Sequence, residues 1–445
     1  MSVIAVAAEP SGTKSLWRDR RFAAFWTSYT VSQVGDRVTE LALPLIAVVV
    51  LDATPSQVGL LTAAVWLPNL IAMFVGTWID RRTHKRRLLV VADLFRAAAL
   101  LAVPVAYSLD ALTLGVLFAV ALATGMGEVV FHMAYPAFYV RLVPRESYVD
   151  ANSKLSASRA AAFVGGPAVA GTLIHAVTAP VAIIVDAISF LFSAGVIARL
   201  RGLTAEATTT SPEAEGHSLV RQALEGMRFV VRHSVLRASL GCTTTINFFT
   251  FIAQALLILY ASRTLGLSAA VIGLALGIGA AGGLIGAVIA PRIAQVIGVG
   301  RTIMVGAVLF PAPIAIAAAA NGTHLTNAIV LSAAELLSSI GVMLFDINQN
   351  AVITFVTPDD MRGRTAGAFS TINYGSRPIG AIVGGLLGTA IGLRPTLLIA
   401  AVGGTLAVCW LLRSPIPHMA TVGPDPADPE LSPETELLPP ADSWD

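Results

Sequence analysis

Residues 178–198, TAPVAIIVDAISFLFSAGVIA, run for twenty-one positions with one ionisable side chain, Asp186. A helix rises ~1.5 Å per residue, so about 20 apolar residues cross the hydrocarbon core of a bilayer. In lipid every backbone polar group must be satisfied internally, which leaves such a run little choice but a spanning helix. Eleven more runs share this character. The full set is 22–50, 56–79, 88–108, 112–140, 153–176, 178–198, 236–262, 269–292, 301–319, 325–354, 365–391 and 394–412. Only 13% of the chain is charged and 55% is apolar, beyond the range of a soluble domain. The expected class is an all-α membrane protein with twelve transmembrane helices, because the short alternating segments of a membrane barrel are absent. The basic residues at the start follow the apolar ones, the reverse of a secretory signal, so the first segment is expected to direct its own insertion. Cys242 and Cys409 both fall in apolar segments and no Cys/His cluster has ligand spacing. No disulfide, metal or cofactor is expected.

Charge is sorted along the chain. With the N-terminus in the cytoplasm, 23 of the 29 Lys and Arg lie on the cytoplasmic face. Two, Arg263 and Arg394, lie on the opposite face, and Arg37, Arg96, Arg159 and Arg377 lie inside segments. Cationic loops resist translocation, so this bias predicts a multi-pass protein of the cell membrane with both termini cytoplasmic. The densest cluster is GTWIDRRTHKRR, 76–87, with five Lys and Arg beside one aspartate.

The halves also match at a constant offset of 214. Arg18 and Arg232, Gly59 and Gly273, Arg87 and Arg301, and Phe131 and Phe345 obey it. So do Pro144 and Pro358, Gly166 and Gly380, and Gly171 and Gly385. One spacing held over so many segments implies six helices duplicated in parallel, with a site near the midplane between them. The expected organisation is a cytoplasmic segment 1–21, bundles 22–198 and 236–412, a linker 199–235, and an acidic disordered tail 413–445. In the linker, Leu219, Ala223, Leu224, Met227 and Val231 predict an amphipathic helix on the cytoplasmic surface.

Several stretches carry a family pattern. Gly76, Asp80, Arg81 and Arg82, then Arg86 and Arg87, form Gly-x-x-x-Asp followed by basic residues, with Thr83 and His84 where a glycine often falls. SQVGDRVTELALPL, RRLLVVADLFRAAAL and LVPRESYVDANSKLSASRAAAFVGGPAVAG stand in segments 1, 3 and 5. The last holds Gly166, Pro167 and Gly171, near Gly-Pro-x-x-Gly-Gly, with Ala170 replacing the first paired glycine. Together with the duplicated halves, these resemble the major facilitator superfamily, and within it the drug:proton antiporters of macrolide and enterobactin export. The resemblance covers nearly the whole chain except the tail. It implies two pseudo-symmetric six-helix bundles and a monomer. It also implies that Asp80 accepts hydrogen bonds at the start of segment 11, near Arg364 to Ala368, latching the cytoplasmic side. A pure topology signal explains the loop's cations but not the acid among them.

Ionisable groups at bilayer depth cost ~2.5–3.5 kcal/mol each on insertion scales, so each is a functional candidate. In segment 1, Asp36 and Glu40 share a face and Arg37 reaches Glu40 at i+3. Such acids are candidates for proton coupling. The repeat counterpart of Glu40 is Gln254, which cannot titrate. Glu128 and His132 lie one turn apart in segment 4, and the counterpart of His132 is Asp346 in segment 10. His132 and Asp346 form either a titrating pair across a central cavity or a structural bond between halves. Glu335 is a second cavity acid or an interfacial one. Asp93 and Arg96 are expected to pair locally. Asp186, Arg159 and Arg377 are assigned to gates or packing, and Asn247, Asn373 and Tyr374 to polar contacts in a cavity. Trp66, Phe248 and Phe249 either line a drug pocket or pack, as do Phe25 and Trp26. Gly380, Gly384, Gly388 and Gly392 leave one face of segment 11 bare, and Pro167 can bend segment 5.

The expected function is secondary active export of small amphiphilic molecules, drugs or antibiotics, by proton antiport through alternating access. The alternative is a dedicated exporter of a siderophore or other specialised metabolite. The partners are a small-molecule substrate, protons and the lipid bilayer, with no nucleic acid. Catalytic motifs such as H-E-x-x-H and G-x-S-x-G are absent, and none of Lys14, Lys85 and Lys154 follows a glycine-rich run, so neither an enzyme nor an ATP-driven pump is expected. A passive channel would give no reason for the duplicated halves.

Overall fold

The computed structural model describes residues 16–80, 82, 84–200, 219–359 and 361–421, apart from the side chains of Met73, Asp80 and 219–223. All regular structure among the described residues is helical. α1 (Arg20–Leu45) continues through a π-helical turn, Ile46–Val50. α2 (Pro55–Trp66), a 3-10 stretch Leu67–Ile71 and α3 (Ala72–Asp80) make the second segment. α4 (Lys85–Ser108), α5 (Leu114–Leu142), α6 (Tyr148–Val177) and α7 (Ala179–Arg199) complete the first half. After α8 (Leu219–Arg232), the second half comprises α9 (Ser234–Leu259) with a π-turn Tyr260–Thr264, then α10 (Ala269–Ile297). It continues with α11 (Val299–Leu309), α12 (Pro313–Ala319), α13 (His324–Val356), α14 (Arg362–Ala390), α15 (Leu393–Leu406) and α16 (Val408–Leu412).

Nine of the described helical runs are long and apolar enough to cross a membrane by length and composition alone. The others are the first, second and eleventh segments, for local reasons. α1 carries Asp36, Arg37 and Glu40, and α14 opens on a polar stretch, RGRTAGAFSTINYGSRP. The second segment is broken where Pro68, lacking an N–H, tightens the chain into a 3-10 turn.

The duplication extends to backbone geometry. The π-turns 46–50 and 260–264 stand one repeat apart. So do the helix caps Thr54 and Ser268, whose hydroxyls accept from Gln57 N and Val271 N. Thr178 and Gly392 are repeat mates at the same tight turn, with φ of 77° and 91°. Packing repeats as well. α1 lies against α6 and α7, as α9 lies against α14 and α15, and α4 pairs with α5 as α11 pairs with α13.

The two halves meet at two places that the repeat relates to each other. α2 packs on α14 and α10 packs on α6. At the first, a Cβ on Gly59 would lie 2.5 Å from Ala381 O and 2.7 Å from Gly385 Cα. At the second, a Cβ on Gly273 would lie 2.2 Å from Pro167 O and 2.8 Å from Gly171 Cα. Gly59 and Gly273 are repeat mates, as are Gly171 and Gly385. The same end is tied by Ser56 N donating to Thr389 Oγ1 at 3.0 Å. Arg263 also donates there, to Val48 O and Ala53 O, both at 2.9 Å, and to Asp52 at 2.5 Å. Contacts continue down to Leu70 beside Gly375, while α3 adds little.

Two terminal expectations are refined. The linker helix α8 is present, but Leu224 and Val231, expected on its apolar face, are exposed. Met227 and Val230 pack instead against Leu236, Ile353 and Ala368, because α8 lies along α14. The tail does not become irregular at 413. A turn at Ile416–His418 returns the chain to α11, where Val299 N and Gly300 N donate to Ala420 O and Met419 O at 3.2 and 2.9 Å. The acidic remainder from 422 lies outside the described residues, as do 1–15 and 201–218.

Because the nearest neighbours of the built Cβ atoms here are backbone, Gly59→Ala and Gly273→Ala are each expected to separate the halves at this end. Reaction of Ser56→Cys with an impermeant maleimide should rise in either background. Unchanged labelling would show that the contact tolerates a methyl group.

Candidate functional site

Asp36, Arg37 and Glu40 sit midway along α1, which touches α6, α7 and α9. Arg37 bonds Glu40 at 2.5 Å. Arg96 from α4 does not pair with Asp93. It crosses to Asp36 at 2.7 Å and lies over the Phe190 ring at 3.8 Å. Asp93 faces Ser193 of α7 instead. The local pairing fails because α4 turns Arg96 inward against α5, where Gly127 leaves room for its stem; a Cβ there would lie 2.5 Å from Arg96 Cγ. Asp186 is buried in α7, accepting hydrogen bonds from Thr39 and from Ser189 at 3.0 Å. Gly35 admits that carboxylate: a Cβ on it would lie 2.4 Å from Asp186 Oδ1. None of these cross-helix partners could be read from spacing, since each lies on a different segment.

Glu128 and His132 stand 3.7 Å apart on α5, their side chains 47% and 66% exposed, while Glu40 is 61% exposed. Asp36 lies within Coulombic reach of Arg96, Glu128, Arg37 and His132, and Glu40 within reach of Arg37, Asp36 and Glu128, so these side chains form one electrostatic set. His132 belongs with Glu128, on its own helix, and Asp346 lies in the field of Arg377 on α14. Glu335 lies on α13 against Gly279 of α10. Gln254 is exposed on α9.

The set has no copy in the second half. Adding 214 to Asp36, Asp93, Arg96 and Asp186 gives Thr250, Ala307, Phe310 and Ala400. The second half offers neutral polar groups instead. Gln349 donates to Thr243 Oγ1 at 2.7 Å and Thr244 donates to Asn373 at 3.1 Å, while Asn247 donates to Thr243 O at 3.0 Å.

The motif residues take distinct tasks. Gly166 receives the stem of Arg37: a Cβ there would lie 2.4 Å from Arg37 Cγ. Pro167 and Gly171 belong to the contact between halves. Gly76 passes Met133, whose Sδ would lie 3.3 Å from an added Cβ. Arg86 donates to Ala198 O at 2.8 Å and Leu200 O at 3.4 Å, a cation at the C-terminal end of α7. Arg82 lies over Trp78 at 4.7 Å, and Arg87 is exposed. The Asp80 side chain and Arg81 lie outside the described residues. At the start of α14, expected to meet Asp80, α8 packs on one side while Arg362, Gly363, Ala366 and Gly367 stay exposed. Arg364 pairs there with Glu225 at 3.4 Å, and Gly226 lies on its backbone. An open recess lined by Tyr139, Tyr148 and Asn152 includes none of the candidate acids.

A family model described as transmembrane secretion effector matches residues 11–439. The chain belongs to this family of the major facilitator superfamily. The multidrug efflux pump Tap of Mycobacterium tuberculosis is 29% identical over 394 residues, 83% of this chain and 88% of Tap. A bacterial homologue of the iron transporter ferroportin, in its inward-facing state, matches with a TM-score of 0.70 at 18% identity, covering 89% of this chain and 98% of that one. Its outward-facing state gives 0.54 at 18% identity, over 88% and 99%. These likenesses establish the major facilitator fold.

In this major facilitator chain the Asp36–Arg96 pair is a cross-helix tie with little solvent access, the side chains being 23% and 11% exposed. Arg96→Leu would strand Asp36 and is expected to destabilise the fold on the order of 3 kcal/mol. Combining it with Asp36→Asn should restore most of the loss. Thermal unfolding of the purified protein in detergent measures both, and equal midpoints for single and double variants would refute the tie.

Proposed function

We propose that this transporter exports small amphiphilic molecules in exchange for protons, by alternating access. The observation that carries it is the exposure of Glu40, Glu128 and His132 midway along helices that must cross a membrane. Charges at that depth avoid lipid, so their exposed faces line a water-filled space between the halves. Arg37 and Arg96 hold neighbouring carboxylates there, and a carboxylate whose charge depends on its neighbours can exchange a proton with the entering or leaving cargo. The second half lends amides and hydroxyls, and its own charges, Glu335, Asp346 and Arg377, do not repeat the first half's set. Relatives that include a multidrug efflux pump favour export of drug-like cargo.

With loop 76–87 in the cytoplasm, the glycine contacts close the outer end and the site opens inward. Both termini are then cytoplasmic, the protein sits in the cell membrane, and it works as a monomer. Asp80 and its neighbouring cations then serve as the latch of the opposite, outward-open state. The bundles rock about a midplane site on the contacts of α2 with α14 and α6 with α10.

The test is uptake into proteoliposomes under an imposed pH gradient, with ethidium and an uncharged macrolide. Wild type should accumulate cargo only with the gradient, and Glu40→Gln should abolish that accumulation while leaving exchange of preloaded cargo. Accumulation that survives in Glu40→Gln would move the proton to Glu128 or Asp36. Failure with both compounds would favour a dedicated metabolite exporter.

A further inference from the structure

Arg377 lies midway along α14, among three aromatic rings. Its guanidinium carbon is 4.5 Å from the ring centre of Trp66, 4.5 Å from Tyr374 and 5.1 Å from Phe251. Trp66 and Phe251 meet edge to face at 5.3 Å and 88°, and Trp66 and Tyr374 stack at 6.2 Å and 18°. All three distances fall inside the range where a ring quadrupole attracts a cation. The rings come from α2, α9 and α14, so the enclosure joins both halves of the transporter.

An arginine placed for structure alone usually spends its planar donors on carboxylates or carbonyls. Here the buried Nε finds no hydrogen-bond acceptor among the described residues. Asp346 on α13 is the carboxylate in whose field the guanidinium sits. Tyr374 remains 39% exposed, so the enclosure has an open side.

The repeat sharpens the point. Subtracting 214 from Phe251 and Arg377 gives Arg37 and Phe163, which also form a cation–ring contact, at 5.7 Å, with the two residue types exchanged. That counterpart has one ring, and its cation is held by Glu40. The counterparts of Trp66 and Tyr374 are Ala280 and Ala160. The three-ring enclosure is therefore a specialisation of one position and not a by-product of duplication.

We propose that Trp66, Phe251 and Tyr374 form a binding cage for the charged group of a weakly hydrated organic cation, and that Arg377 occupies it as a tethered stand-in until such a ligand displaces it. A guanidinium and a quaternary onium are both weakly hydrated, so either can exchange water for ring faces. Small alkali cations hold their water too strongly for such a cage. Displaced, Arg377 remains near Asp346, and the carboxylate serves whichever cation is present. Transport of the ligand rests on the efflux function proposed above; binding does not.

The experiment is equilibrium binding of radiolabelled tetraphenylphosphonium to the purified full-length protein in nanodiscs, with neutral triphenylphosphine oxide as the matched probe. Arg377→Ala should bind the phosphonium about tenfold more tightly than wild type, the scale of one desolvated cation–ring contact. The oxide should show no such gain, and adding Trp66→Leu should remove it. Arg377→Lys, which keeps a tethered cation, should stay near wild type. Equal affinities in wild type and Arg377→Ala, or an equal gain for both probes, would overturn the cage, the latter showing that only space was created. Wild type supplies a second measurement should Arg377→Ala fail to fold. Saturating phosphonium should speed phenylglyoxal modification of Arg377, read by mass spectrometry, and the oxide should not; unchanged modification would equally overturn the proposal. Phosphonium binding that follows this pattern without gradient-driven transport would leave the cage standing and remove proton antiport. Gradient-driven transport with no such pattern would do the reverse.

Discussion

Two backbone-to-backbone contacts hold the halves of this protein against each other, and each depends on a pair of glycines. Gly59 meets Gly385 and Gly171 meets Gly273, so close that a single methyl group would strike main-chain atoms. Lipid offers no hydrophobic drive for helices to associate, so close van der Waals approach must supply it. Arg263 adds directional bonds across the same end, to two carbonyls and to Asp52.

The glycine contacts and the ionic set are physically linked through α6. Along that helix, Gly166 receives the stem of Arg37, while Pro167 next to it and Gly171 little more than a turn on meet Gly273 of α10. A shift of α6 against α10 therefore moves the wall beside Arg37, and with it the partner of Glu40. The first half concentrates the linked acids and arginines, while the second supplies amides, hydroxyls and rings beside Asp346 and Arg377. That division makes the two halves of a duplicated scaffold chemically unlike.

The most legible parts were those set by composition and periodicity. Apolar length gave the segments, and the 214-residue offset anticipated the symmetric glycines, though not that they touch in pairs. The site was legible as a roster of charges within apolar runs. Its wiring was not. Arg96 reads as the partner of Asp93 three residues away, yet it reaches across to Asp36, because Gly127 opens α5 to its stem. His132 stays with Glu128 on its own helix, and Asp346 lies with Arg377. Arg377 reads as a gate or packing residue, with no sign that three rings from three helices enclose it.

By itself the sequence determined the helical class, the duplication and which ionisable groups fall within apolar runs. These follow from chain length against bilayer thickness, from repeated spacing, and from the cost of charge in lipid. The tertiary structure decided which charges meet, which glycines carry the contact between halves and which aromatics enclose a cation. Those outcomes depend on rotation of each helix about its axis and on its neighbours in the bundle. A few small residues such as Gly127 and Gly166 set both, by what they leave unfilled.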